Sequence, residues 1–267
     1  MSPFEIILLA IVQGITEFLP ISSDGHLVLA NELLQYFGWP KAPDQLEVTL
    51  VLHLGTLAAV LIYFRREIAR VLTTERRALA PIMVATIPAV IIGLTIKKGV
   101  PDAWENWLLE SPLLAGLGFL VTAAVLWWGL RARGGDKTYP QMGPGQAFLI
   151  GLLQASAILP GVSRSGTTIA GGLATGLRRE DAAAFSFLLA IPAIGGAGLL
   201  QMLEAYEAGG TSTPLPQLTL GFVVSMLVGL AALAVLLRML RRGRLELFVY
   251  YLAPLGLGVT AWQLLKY

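Results

Sequence analysis

Two short stretches of this chain carry side chains that an apolar sequence has no packing use for. The first, QGITEFLPISSDGH at 13–26, offers the amide of Gln13, the carboxylate of Glu17, the hydroxyls of Ser22 and Ser23, then Asp24 and His26. Gln13 and Glu17 are four apart, so on a helix they share the face that leads into the loop. A carboxylate at membrane depth costs about 2.5 to 3.5 kcal/mol on insertion scales, so its presence asks for a task such as binding a metal ion or moving a proton. His26 beside two hydroxyls can serve as general base for a serine, as base for water, or as the attacking group itself. A helix-start histidine facing lipid headgroups is the plainer account. Asp24 fits turn chemistry before Gly25, and His53, with no polar neighbours in sequence, fits interior packing.

The second stretch, PGVSRSGTT at 160–168, supplies Ser163, Arg164, Ser165, Thr167 and Thr168 with Gly161 and Gly166. Backbone N–H groups at a glycine-rich helix start, hydroxyls and one guanidinium make an anion receptor, because the amides are directional donors and arginine grips oxygens in pairs. Together the two stretches hold what phosphoryl transfer needs, where positioning and charge neutralisation do most of the catalysis. The structural alternative pairs Arg164 with Glu17 only as glue, and the two are compatible.

The rest of the chain must place these stretches. Of 267 residues 55% are hydrophobic and 13% charged, and mean hydropathy is +0.71, which excludes an ordinary soluble domain. The expectation is one integral membrane domain, 1–267, all-α and polytopic. There is no cysteine, hence no thiolate chemistry or disulfide, and a net charge of +2 gives no reason to expect nucleic acid. The opening residues lack a basic region and a cleavage site and are expected to belong to the mature fold.

Apolar runs long enough to cross a bilayer lie at roughly 47–64, 79–96, 112–130, 182–203, 217–237 and 246–265. Residues 4–19 and 27–37 are each short for a span and flank the first polar loop, as 146–159 and 167–177 flank the second. Each set is expected to be a re-entrant helix-loop-helix hairpin. Fourteen of the nineteen cations then fall on one face: Arg65, Arg66, Arg70, Arg76, Arg77, Arg131, Arg133, Lys137, Arg178, Arg179, Arg238, Arg241, Arg242 and Arg244. The positive-inside rule makes that face cytoplasmic. The segments VQGITEFLPISSDGH and LQASAILPGVSRSGT share Gln, Leu-Pro and Ser-x-x-Gly, with Ser22 and Ser163 separated by 141 positions. The expected fold is an inverted-topology repeat, 1–135 and 140–267, with six transmembrane helices, two re-entrant hairpins and the hairpin tips meeting.

QGITE, FLPISSDGH and PGVSRSGTT at this separation, with FSFLLAIP at 185–192, resemble the undecaprenyl pyrophosphate phosphatases, the bacitracin-resistance family of bacterial membrane enzymes. The resemblance covers the whole chain. It implies hydrolysis of undecaprenyl pyrophosphate to the monophosphate and inorganic phosphate, recycling the carrier for cell-wall synthesis and conferring bacitracin resistance. It further implies a multi-pass protein of the bacterial inner membrane, a site open to the periplasmic side, and a divalent cation, Mg2+ or Ca2+.

Carried over, Glu17, Ser23, His26 and Arg164 are the catalytic residues, with Glu17 also at the metal; Ser23 activated by His26 is the first choice of nucleophile, followed by His26 itself or water that it activates. Gln13, Ser22, Ser163, Ser165, Gly166, Thr167 and Thr168 bind substrate. Many members carry Glu at the position of Gln13, which cannot ionise, so Glu17 does the charged work alone. The expected partners are the polyprenyl lipid and the bilayer; oligomeric state, a homodimer included, is left open. Broken helices in inverted halves also suit a transporter or flippase of a polyprenyl phosphate lipid, the competing class.

Overall fold

Short polar caps cut the apolar chain into helices. The computed structural model describes residues 2–39, 45–132, 134–207 and 213–266, and among these twelve α-helices follow in order. They are α1 (Pro3–Thr16), α2 (Ser23–Tyr36), α3 (Gln45–Tyr63), α4 (Arg65–Thr73), α5 (Leu79–Gly99), α6 (Asp102–Glu110), α7 (Pro112–Arg131), α8 (Pro144–Ser156), α9 (Arg164–Ala174), α10 (Arg179–Glu207), α11 (Leu215–Arg241) and α12 (Glu246–Lys266). No strand occurs among the described residues, only an isolated bridge between Lys137 and Leu177. Ser2 caps α1 in a reciprocal pairing with Glu5, and Ser111 caps α7, each followed by proline at the first helical position.

Helices α5, α7, α10, α11 and α12 are each long and apolar enough to cross a membrane, and α3 qualifies together with α4 across a 69° bend. The chain is an all-α, multi-pass membrane protein, and these segments fall where the six apolar runs were expected. Two helices were not expected. Helix α4 begins where Arg65 and Arg66 end the apolar run, and it turns aside with Val71 buried and Leu72 exposed. Helix α6 carries exposed Trp104 and Trp107, rings edge to face at 6.1 Å, the residue type that settles at a membrane interface.

The ends of each short helix pair lie together. Phe4 before α1's first turn is over meets Trp39 beyond α2, ring centroids 5.8 Å apart, and Gln146 of α8 donates to the Thr175 carbonyl after α9 at 2.9 Å. Helix α1 packs on α11 and α8 packs on α5, while α3 lies against α10 and α11, and α12 against α7.

The basic connections gather at one end. Tyr139 donates its hydroxyl to Glu67 at 2.5 Å and its amide to Asp181 at 3.1 Å, Arg178 pairs with Asp181, and the Arg179 guanidinium lies over Gly243. Burial and the Glu67 carboxylate hold the Tyr139 phenol proton well above its ordinary range, so the clasp keeps its donor. At the opposite end Lys97 pairs with Glu204 and Lys266 with Glu32. Arg133 and Lys41 lie outside the described residues.

Candidate active site

The residue after α1 is Glu17, and its backbone N–H closes the helix on the Gln13 carbonyl. The chain then turns through 17–21 to Ser22, whose φ of +71° makes it the one described non-glycine residue in positive-φ backbone. Such geometry strains an L-residue and gathers at functional sites. Ser22 spends its hydroxyl on the Gly25 amide, capping α2, and Ser163 does the same for Gly166 at the start of α9, at 3.3 and 3.1 Å. The Ser-x-x-Gly common to both stretches is thus a pair of matching N-caps.

The tips meet closely. A Cβ on Gly25 would stand 2.7 Å from the Cα of Gly161, and one on Gly161, itself at φ +83°, would collide with the Ala115 carbonyl. Phe18 of the first tip packs edge to face on Phe187 of α10, which stacks on Phe64, so aromatic packing anchors the tip next to Glu17 in the chain. Thr122 of α7 inserts its hydroxyl into the second tip, accepting from the Ser163 amide at 2.9 Å and donating to the Gly161 carbonyl at 2.8 Å.

At the junction Arg164 Nη2 donates to Glu17 Oε1 at 2.5 Å, with both side chains largely out of solvent. Glu17 Oε2 accepts from Gln13 Nε2 at 3.0 Å and from the Ser23 hydroxyl at 2.7 Å. Ser165 crosses between tips to the Leu19 carbonyl at 3.2 Å and lies 3.2 Å from the Ser163 hydroxyl. Glu17, Gln13, Ser23, Arg164, Ser163 and Ser165 are therefore one cluster. Thr167 and Thr168 turn their hydroxyls back onto the Arg164 carbonyl, and Thr168 also meets Ser186, so both shape the cradle and present no free hydroxyl to it.

The pairing expected between Ser23 and His26 is not the one found. Ser23 points to Glu17, while His26 Nδ1 meets the Ser22 carbonyl at 2.7 Å and Nε2 the Tyr251 hydroxyl at 2.8 Å. Three apart on α2, the two side chains share a face, but their polar atoms are taken by other partners: Glu17 holds the serine hydroxyl, and the Ser22 carbonyl and Tyr251 hydroxyl hold the imidazole.

His53 departs furthest from expectation. From α3 its Nε2 reaches 3.5 Å from Asp24 Oδ1 and 3.8 Å from Glu17 Oε2, with Nδ1 on the Thr49 carbonyl at 2.9 Å. It belongs to the site, not to the packing. Its only sequence signal was being an ionisable side chain inside an apolar helix, which is itself a pointer to function. Ser186 was also missed: its carbonyl accepts from Arg164 at 3.4 Å.

A divalent cation fits the oxygen atoms present. Gln13 Oε1 is buried with no hydrogen-bond partner and stands one helical turn from the Glu17 carboxylate, and Mg2+ and Ca2+ both take hard carbonyl and carboxylate oxygens. Among the described residues no three His, Asp or Glu side chains converge as a closed metal cage.

The family described as bacitracin resistance protein BacA matches residues 6–258. The chain is a member of the BacA family. Proteins named undecaprenyl-diphosphatase resemble it from end to end: that of Rhodopirellula baltica is 44% identical, covering 97% of this chain and 98% of the relative. The Carboxydothermus hydrogenoformans protein is 39% identical over 98% of each chain, and the Myxococcus xanthus protein 41% identical over 96% of this chain and 87% of its own. Relatives of this BacA-family chain thus carry the name of a phosphatase.

Proposed function

We propose that this protein hydrolyses undecaprenyl pyrophosphate to undecaprenyl phosphate and inorganic phosphate. The observation that carries the reading is the Glu17–Arg164 contact, which joins the two loops of a BacA chain around a place for one anionic headgroup. The product lipid would return to cell-wall synthesis, and bacitracin resistance would follow, in keeping with the family's description.

In this reading the halves 1–135 and 140–267 are inverted repeats, each a re-entrant hairpin followed by three spans. The exchange of partners supports it, since α1 of one half lies on α11 of the other and α8 lies on α5. With the gathered arginines toward the cytoplasm of a bacterial inner membrane, the first hairpin opens to the periplasmic side and substrate enters there.

The pyrophosphate settles between the tips, where Arg164 gives it paired donors and the Ser163 and Ser165 hydroxyls add others. Ser23 is the nucleophile in this reading, supported by the bond from its hydroxyl to Glu17. Its proton passes along the existing bond to Glu17, the serine oxygen forms a bond to the terminal phosphorus, and the lipid monophosphate leaves with the bridging oxygen. Water that displaces the Tyr251 hydroxyl from Nε2 of His26 loses a proton there and cleaves the phosphoserine, releasing inorganic phosphate while the serine oxygen takes back its proton from Glu17. A divalent cation held by Gln13 and Glu17 would supply charge neutralisation on the phosphate oxygens.

The test is phosphate release from farnesyl pyrophosphate by the purified protein in detergent. An enzyme turns over with no potential and no second compartment; a flippase that only moves the lipid releases nothing.

A further inference from the structure

His26 is held on every side. A carbonyl oxygen can only accept, so the 2.7 Å contact with Ser22 puts a proton on Nδ1. In the neutral ring Nε2 then carries the lone pair, and the 2.8 Å contact with Tyr251 is the phenol donating to it. Tyr251 comes from α12, 225 positions along the chain, and its ring lies nearly parallel to the imidazole at an interplanar angle of 12°. Phe119 of α7 closes on the imidazole with centroids 4.9 Å apart. Helix α12 runs along α7, and α7 also touches α2, so the three helices fix both rings together.

Tyr251 is not consumed by packing. It is 44% exposed on the flank of the molecule while its hydroxyl turns inward to His26. An exposed phenol on a membrane-facing helix would satisfy itself with headgroups or water if it served only as an interfacial anchor.

We propose that Tyr251 is a positioning residue for the phosphatase reaction, acting through His26: its hydroxyl holds the imidazole plane and the tautomer in which Nε2 is unprotonated, and gives up that lone pair to water when the reaction begins. A substrate arriving from the bilayer meets phenol and imidazole as a unit. The inference rests on the proton-accepting role given to His26 above.

The test uses Tyr251→Phe, which keeps the ring and removes one oxygen, so the protein remains extractable. Phosphate release should fall about tenfold in kcat with KM changed by less than about twofold, the pattern of a group that serves the chemical step. In a His26→Gln background, already impaired, adding Tyr251→Phe should cost nothing further. The chain has two histidines, so nitrogen NMR of histidine-labelled protein in detergent resolves both imidazoles, and a His53→Asn sample assigns them. Tyr251→Phe should move the Nε2 resonance of His26 and leave His53 in place.

Unchanged turnover in Tyr251→Phe, an unmoved His26 resonance, or an equal loss in both backgrounds would each overturn the proposal. Full activity of His26→Gln together with a shifted resonance would instead remove His26 from the reaction, and the role of Tyr251 with it, while leaving the contact intact.

Discussion

Arg164 Nη2 lies 2.5 Å from Glu17 Oε1, although 147 positions of chain separate them. A buried pair of this kind costs several kcal/mol of desolvation per ion and is weak as a source of stability. Losing one partner leaves a charge alone. Glu17→Ala should therefore lower stability by about 3 to 5 kcal/mol and abolish phosphate release. The double variant Glu17→Leu with Arg164→Met should recover the thermal midpoint while remaining inactive. Recovery of turnover in the double variant would separate the pair from catalysis.

Ser22 holds positive-φ backbone without being glycine, at a strain of about 1 to 3 kcal/mol for such a residue, while serine to glycine at an N-cap costs only about a few tenths. Ser22→Gly should raise stability by about 1 kcal/mol. Turnover should fall about tenfold as the tip gains freedom to misplace Ser23. Thermal unfolding in detergent and phosphate release on the same sample check both signs; a variant that is more stable and equally active shows the strain to be incidental.

His53 faces the site carboxylates from α3. His53→Leu should reduce turnover about 10- to 100-fold, the scale of a lost hydrogen bond to a charged group, with the fold retained by circular dichroism. His53→Gln, which still offers a donor toward Glu17, should keep more activity than His53→Leu. Equal rates for the two would return His53 to a packing role.

A chelator should stop phosphate release, and added Mg2+ or Ca2+ should restore it. Gln13→Ala removes the unpartnered carbonyl oxygen beside Glu17 and should raise the cation concentration for half-maximal rate about tenfold, leaving the saturated rate within about threefold. A titration of rate against free cation gives both numbers.

Much of this arrangement was legible in the chain. The spanning helices follow from apolar runs of the right length, and the paired polar loops betrayed themselves as interruptions in such runs, Leu-Pro and Ser-x-x-Gly appearing in each. Helices α4 and α6 were not legible, because short amphipathic segments at an interface have neither the length nor the uniform apolarity that marks a span. Within the site, residues of the two loops could be grouped by proximity in sequence. His53, Thr122, Ser186 and Tyr251 could not, since each sits alone on a long helix and reaches the loops only through tertiary packing. The same limit misassigned the partner of Ser23: spacing suggested His26, whereas the fold of the tip turns the serine to Glu17.

The most direct measurement is phosphate release from farnesyl pyrophosphate by purified wild-type protein and Arg164→Ala in detergent with Mg2+. The account predicts sustained turnover by the wild type and a loss of at least about a thousandfold in the variant, which is less stable but still folded at the assay temperature. Comparable turnover by the two, or none by the wild type with the cation present, would contradict it.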